Sequence, residues 1–586
     1  MHTICSHSVE FDDAIHVLPS PDVVMESFCH HYDIGVEGLR TLTKGSSWVT
    51  GPQPQCICMW NVQRDAQTAR NEFSKIFSLS TSTIFGVIAL FSLSQIMTSQ
   101  IASELKPWLS PTAGIFGPGD EEFSGLISRW REYHAPTVAA VVQVATESDI
   151  QEATSNDVMR FPLLTQILAP QVRYANQNGI PFFARSGGHG GTEAMALAQD
   201  ALQIDFRKMN YVKVAEDGQT AKIGGGANVK QVVDALTEAG KRTVTGICEN
   251  VGVSAVVLGG GHGWLQGQYG LAADQIISAR LILPSGDAVT VSEDSHPDLF
   301  WAIRGAGHNF GLVAEWTFRL YDLNPRASKW SYEIFVFPGD KLEALFSLHN
   351  EMQKSQPSYA IHWCYIIRPA FLNLDHPVIW YGIIYDGPED EARLYAKPLH
   401  DIGAMSVQAG VATTHELAAL TFQDVDGPGC AYGLTSLRYP IGLKSFDVPA
   451  VRKVYDFIDK SFQETPEIAG SFFVLEGYST QAVKAVEEKS TAFPHRSDEI
   501  LVTSYVQYKP DPKVDPLADK FGRTLRQILL DASDDPEHLR AYVNYAHGDE
   551  DLREVYGWED WRLQKLKELK AQWDPENKMR YYVPIV

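Results

Sequence analysis

Ile180-Pro181-Phe182-Phe183-Ala184 runs directly into Arg185-Ser186-Gly187-Gly188-His189-Gly190-Gly191. An apolar, strand-like run that empties into small residues leaves backbone amides free to converge on an anion, because no side chain obstructs them. Such a turn suits a diphosphate, and His189 places one nucleophile in it. Further on, Gly246-Ile247-Cys248-Glu249-Asn250-Val251-Gly252-Val253 makes a second glycine turn, with Cys248 as its nucleophile. It leads through Ser254-Ala255-Val256-Val257-Leu258 into Gly259-Gly260-Gly261-His262-Gly263, where backbone can press against a flat ligand. Two such loops predict one long cofactor lying across both.

This arrangement resembles the berberine bridge enzyme-like flavoproteins, whose flavin domain is of the p-cresol methylhydroxylase and vanillyl-alcohol oxidase type. In that family the His of an Arg-Ser-Gly-Gly-His turn is bonded to the flavin 8α-methyl, and in many members a Gly-x-Cys turn adds a thioether at C6. His189 and Cys248 occupy those places. Further matches are Gly270-Leu271-Ala272-Ala273-Asp274, Asp298-Leu299-Phe300-Trp301-Ala302-Ile303-Arg304-Gly305, Asn309-Phe310-Gly311-Leu312-Val313, Tyr542-Val543-Asn544-Tyr545 and Asp574-Pro575-Glu576-Asn577. The resemblance spans Phe123 to Met579. It implies FAD attached covalently through His189 and also through Cys248. The contacts it implies are Arg185, Ser186, Gly187, Gly188, Gly190 and Gly191, then Val251, Gly252 and Val253, then Gly259, Gly260, Gly261 and His262. Asp274, Gly311, Leu312, Val313 and Asn544 complete the set. Ala255 stands where the family often has Gly, and Glu249 where it often has Pro.

At 586 residues and 44% hydrophobic, the chain can bury large cores and is expected to divide into at least two domains. A formal net charge of −23 argues against nucleic acid or an anionic membrane surface as partner, since most of the surface would repel either. A small molecule and, as electron acceptor, molecular oxygen are the expected partners. Seven cysteines make no disulfide framework in so long a chain, and no Asn-x-Ser/Thr sequon occurs; both lean towards an intracellular, cytoplasmic protein. Cys56-x-Cys58 and Cys29-His30-His31 match no common zinc spacing, so no metal is expected. No Gly-x-x-x-x-Gly-Lys-Ser/Thr loop occurs either, which disfavours a nucleotide triphosphatase.

The expected fold is α+β: a two-domain flavoprotein with a p-cresol methylhydroxylase-type FAD-binding domain and an antiparallel-sheet substrate domain. Residues 1–121 read as an N-terminal extension. Its apolar segment 84–96 falls short of the ~20 residues a spanning helix needs, so a membrane anchor is the less favoured reading. It also lies too far from Met1 for an ordinary signal peptide. Residues 122–325 read as the FAD-binding domain. Within them, 154–171 read as an insertion, because Pro162 and Pro170 interrupt an otherwise amphipathic helix. The spacing also predicts a hairpin at 279–291 and a helix from Asn228, with Asn228 as its cap. Residues 326–540 read as the substrate domain. Its strand candidates are Trp330–Phe337, His362–Ile367, Val378–Tyr385, Ser471–Glu476 and Leu501–Tyr508. Residues 541–586 form a C-terminal segment, with a strand at Tyr542-Val543-Asn544-Tyr545 and a helix from Trp558 to Gln572, which the resemblance implies returns to the flavin.

A hydride-donating carbon held against a flavin needs a group that takes the accompanying proton. Tyr505, Tyr542 and Tyr545 are the candidate bases and Gln507 an orienting partner. Glu476 is the weaker candidate, expected at a strand end in solvent. A phenol titrates near pH ~10, so a tyrosine base needs a positive neighbour that the sequence does not identify. The reading is an FAD-dependent oxidase acting on a small aromatic or hydrophobic natural-product intermediate, producing hydrogen peroxide and capable of oxidative ring closure. The alternatives are a carbohydrate or alcohol oxidase of the same family, or a flavin-binding protein without turnover.

Overall fold

A computed structural model describes residues 100–151, 174–176, 178–369 and 374–586. The apolar segment 84–96 and the expected insertion 154–171 lie outside the described residues. Among those described, no helix is long and apolar enough to cross a membrane.

Strands β1 (Gly114–Phe116), β2 (Val138–Gln143), β3 (Phe182–Arg185) and β4 (Ala201–Asp205) form one sheet in the order β1-β2-β4-β3. β4 runs parallel to both β2 and β3, and all five of its residues are buried, so its sequence shows no polar alternation. β3 sits at the sheet edge and delivers Arg185 directly into the His189 turn.

Strands β5 (Val212–Val214), β6 (Thr220–Gly224), β8 (Ile276–Ile282), β9 (Ala288–Ser292) and β10 (Leu312–Arg319) form a second, antiparallel sheet; β7 (Lys241–Arg242) pairs only with β11 (Tyr321–Asp322). The expected hairpin is β8–β9. The helix Val229–Glu238 begins at Asn228 through a reciprocal cap. Asn228 Oδ1 accepts from the Gln231 amide (2.9 Å), and Gln231 Oε1 accepts from the Asn228 amide (3.0 Å).

The third sheet is antiparallel throughout. Its strands are β12 (Trp330–Phe337), β13 (Ala360–Ile367), β14 (Val378–Tyr385), β15 (Ser406–Ala412), β16 (Thr435–Leu443), β17 (Phe472–Tyr478) and β18 (Ile500–Tyr508), in the order β15-β12-β14-β13-β17-β18-β16. Five of these match the strand candidates. The two that escaped are both edges. β15 is small-residued and largely exposed, and β16 contains Pro440 and Gly442, which read against a strand although an edge tolerates them.

Alternation along these strands gives the sheet two different faces. Arg438 of β16 stands opposite Tyr505 of β18, and Trp363 of β13 opposite Glu476 of β17. These four side chains line the same cavity. Tyr439 points the other way, its hydroxyl donating to Asp519 (2.7 Å) on the helix Asp515–Leu530. Helices therefore cover one face while the cavity lies on the other.

One expectation of local structure fails. Val543–Tyr545 is a turn of 3₁₀ helix rather than a strand, closed by the Tyr545 amide donating to the Tyr542 carbonyl (2.9 Å). In a strand, residues 542 and 545 would face opposite ways. The 3₁₀ turn brings positions three apart onto one side, and both tyrosines reach the cavity.

The two glycine turns of the first sheet's neighbourhood meet backbone to backbone. A Cβ on Gly187 would lie 2.4 Å from the Asn250 carbonyl oxygen and 2.6 Å from the Gly252 nitrogen, and one on Gly252 would lie 2.9 Å from the Gly187 nitrogen and 1.9 Å from the Ser186 side-chain Oγ. Gly252→Ala should therefore force the turns apart and cost about 1–3 kcal/mol. The expected outcome is a lowered thermal midpoint, with Gly125→Ala, which meets nothing within 4 Å, as the neutral control. Equal midpoints for the two variants would show that the turns separate without cost.

Candidate active site

β3, the two glycine turns, the sheet face of β13, β16, β17 and β18, and the C-terminal segment enclose about 1380 Å³ of space, part of it open to solvent. His189 lies in its wall, 7% exposed. Its ring stacks on Trp130 at 5.8 Å and meets Tyr432 edge-on at 5.4 Å, and among the described residues neither ring nitrogen has a hydrogen-bond partner. Burial, with the positive charges of Arg438, Arg185 and Arg129 adding to it, holds this imidazole well below its usual pKa. His189 is thus a neutral ring with both nitrogens uncommitted.

Arg129 and Arg185 also line the cavity, and burial lowers each to about 10. Arg185 Nη2 donates to the Ser128 carbonyl, while its Nε and Nη1, and Nη1 of Arg129, have no partner among the described residues. Guanidinium nitrogens left unpaired in this way, in a chain of net charge −23, are suited to an anion. With the glycine cradle and apolar walls including Phe182, Phe183 and Met195, the residues present fit FAD.

Of the expected cofactor residues, Arg185, Ser186, Gly187, Gly188, His189, Gly190, Cys248, Val251, Gly252, His262, Gly311, Leu312 and Asn544 line the cavity; Gly191, Val253, Gly259, Gly260, Gly261, Asp274 and Val313 do not. The second glycine cluster makes room for protein. A Cβ on Gly259 would lie 2.1 Å from Asn544 Oδ1, and one on Gly260 2.4 Å from the Phe493 ring. Asp274 is bound to Arg496 in a buried, two-pronged ion pair (2.7 and 3.0 Å). Val253 and Val313 pack in the core, and Gly191 lies against Trp130 and Arg131. Gln507 is no substrate partner in this geometry, because its amide donates to the Pro428 carbonyl (3.2 Å) and to Ser436 Oγ (3.3 Å).

Cys248 requires a correction as well. Its sulfur is bonded to Cys430, so no thiol is free there to join a flavin while that bond stands.

The largest correction concerns Glu476. It is 1% exposed, inside β17, because the neighbouring strands and the C-terminal segment close over what sequence alone presents as a strand end. Desolvation raises its carboxyl to about 7, against hydrogen bonds from Tyr478 OH (2.8 Å) and Tyr545 OH (2.9 Å) that favour ionisation. The tyrosines are held in their protonated form. Burial pushes Tyr505, Tyr542 and Tyr545 above the ordinary phenol value. Tyr542 OH instead accepts from Asn544 Nδ2 (2.7 Å).

The missing positive neighbour is Arg438. Its guanidinium lies 4.0 Å from the Trp130 ring centroid, 4.7 Å from Tyr545 and 4.9 Å from Tyr505, and Nη1 donates to the Asn544 carbonyl (3.3 Å). No local pattern announced it, since it sits on the unrecognised edge strand β16. His262, lowered to about 4 by burial, is a neutral ring beside Tyr542, edge-on at 4.6 Å.

Residues 161–292 match the family described as FAD binding domain, and residues 541–585 the family described as berberine and berberine like. A FAD-linked oxidoreductase of Penicillium rubens is 36% identical over 487 residues, covering 82% of this chain and 93% of that protein. Among solved structures, a chitooligosaccharide oxidase matches with a TM-score of 0.67 at 21% identity, covering 82% of this chain and 98% of its own. Glucooligosaccharide oxidase from Acremonium strictum, which carries a 6-S-cysteinyl, 8α-N1-histidyl FAD, matches with a TM-score of 0.65 at 18% identity, covering 81% and 97%.

Asp274→Ala would leave Arg496 buried without a counter-charge, a change of about 3–5 kcal/mol. The expected result is a strongly lowered unfolding midpoint with flavin per folded molecule unchanged. A stable variant that has lost flavin would return Asp274 to the cofactor.

Proposed function

The chain belongs to the berberine-like family of FAD-linked oxidoreductases, and from that premise we propose that it is an oxidase whose FAD is attached through His189. It takes a hydride from an alcohol, amine or activated carbon of a small aromatic or hydrophobic natural-product intermediate. Dioxygen receives the electrons and leaves as hydrogen peroxide. Where the substrate carries a nucleophile beside the oxidised carbon, the same step closes a ring. The observation that carries this reading is the Glu476–Tyr545 hydrogen bond in the same cavity as the uncommitted His189 ring.

FAD, when bound, supplies the hydride-accepting ring and the route for electrons to oxygen. The chain supplies the rest. Arg129 and Arg185 are suited to a diphosphate, and the glycine turns to close contact with a cofactor. Trp363, Tyr505 and Tyr542 offer flat walls to an aromatic substrate. Tyr545 Oη takes a proton from the substrate as its own passes to Glu476 Oε1, so the phenol relays and the carboxylate is the base. Arg438 over the Tyr545 ring stabilises negative charge that develops there.

Glu476 accepts a proton only when ionised, and its carboxyl is raised to about 7. Anaerobic bleaching of the flavin by substrate should therefore rise as pH increases through about 7. Glu476→Gln should lose that rise and bleach about 10²–10⁴-fold more slowly. An unchanged pH profile in Glu476→Gln would remove it as the base. A panel of alcohols, amines and sugars finds the substrate, and recovery of colour in air with peroxide release tests the oxidase reading.

Attachment has its own measurement. Acid-precipitated parent protein should stay yellow, and His189→Ala should give a colourless pellet. A yellow pellet from His189→Ala would put the bond elsewhere.

A further inference from the structure

We propose that Cys430 captures the sulfur of Cys248 and keeps it off the flavin, leaving His189 as the single point of attachment. The proposal rests on the flavin reading above. Cys248 lies in the cavity wall and is bonded to Cys430, which is fully buried, with the two Cα atoms 6.3 Å apart. That separation is ordinary for a disulfide.

Cys430 is held in place by contacts that do not involve the sulfurs. The Glu249 amide donates to the Gln423 carbonyl (3.0 Å), the Val425 amide donates to Glu249 Oε2 (3.1 Å), and Asn250 Nδ2 donates to the Val425 carbonyl (3.1 Å). His415 Nδ1 lies 2.5 Å from Glu249 Oε1. On the other side, Trp130 Nε1 donates to the Gly429 carbonyl (3.0 Å), and Gln507 holds Pro428. The loop therefore presents Cys430 to Cys248 even when the bond is open, which makes its effective concentration there very high.

Glu249 gives this arrangement its sequence origin. The resemblance puts Pro at this place in many relatives. A Pro would have no amide for Gln423 and no carboxylate for Val425 and His415, so the loop would lose most of its ties to the cysteine turn.

In the capture step each thiol loses a proton and the pair gives two electrons to an oxidant, either dioxygen or the disulfide of an exchange partner. The S–S bond that forms leaves Cys248 without the thiolate that a thioether requires.

The test weighs peptides from the holoenzyme, unfolded in acid with alkylating agent and no reductant. The expected result is a Cys248 peptide joined to a Cys430 peptide, separable by reductant, with the flavin mass on the His189 peptide alone. In Cys430→Ser, whose His189-borne flavin reports that it has folded, the flavin mass should join the His189 and Cys248 peptides. There the new C–S bond replaces a ring C–H and the thiol S–H, and two electrons pass to dioxygen. Flavin on Cys248 in the parent overturns the proposal, as do free alkylated Cys248 and Cys430 in the parent. Cys248 alkylated in Cys430→Ser, with flavin only on His189, also overturns it. A joined Cys248–Cys430 pair with no flavin on any peptide overturns the flavin reading beneath it, and the joined pair tells that failure apart.

Discussion

Gly187 and Gly252 touch through backbone, at distances no Cβ could tolerate, and the cavity depends on that contact. It sets the His189 turn against the Cys248 turn, so that one binding space is lined by both. The first turn is fixed at its root by β3, whose Arg185 already reaches the Ser128 carbonyl. The second is fixed by the helix Val229–Glu238, since the Val229 amide donates to the Val251 carbonyl (3.0 Å) and the Val253 amide to the Ala227 carbonyl (2.9 Å). Neither turn could move without breaking regular structure behind it.

Desolvation then decides the chemistry of what the turns and the sheet enclose. It lowers the pKa of the histidines and raises those of the carboxylate and phenols. His189 is left neutral with free nitrogens, and Glu476 sits at about 7. Three guanidinium groups, of Arg129, Arg185 and Arg438, line the same cavity. Only Arg438 is met chiefly by aromatic faces, which accept a cation without neutralising it as a carboxylate would.

The glycine turns, the hairpin, the Asn228 cap and five of the seven strands were legible because each rests on a local rule: small residues, alternation or a capping side chain. What escaped depends on contacts distant in sequence. Glu476 looks like a polar strand end in Phe-Phe-Val-Leu-Glu-Gly-Tyr, and only the neighbouring strands together with the C-terminal segment, which brings Tyr545 to it, make it a buried acid. Arg438 lay on a strand hidden by Pro440 and Gly442. Cys430 gave no sign of pairing, its partner being 182 residues away. Conversely, the resemblance implies Asp274 and the Gly259–Gly261 cluster as cofactor contacts, whereas in the fold the glycines pack closely against Asn544 and Phe493 and Asp274 pairs with Arg496.

The C-terminal segment has to return for the proton-handling side of the cavity to exist, and two of the motifs that carry the family resemblance are what hold it. Asn309, fully buried, donates from Nδ2 to Tyr556 OH (2.9 Å) and to the Val583 carbonyl (3.2 Å), and its Oδ1 accepts from the Ile585 amide (3.1 Å). Lys570 Nζ donates to the Asn309 carbonyl (2.9 Å), to Asp574 Oδ2 (2.6 Å) and to the Met579 carbonyl (2.8 Å). Nearly every polar group at this junction is satisfied from the other side, and an unmade bond there would leave a buried amide or ammonium without a partner, which costs more than the bond itself contributes. Asn309 and Asp574 therefore support the site without lining it: they fix the end of the segment, from Tyr556 to Ile585, behind the cavity wall to which Tyr581 and Tyr582 contribute.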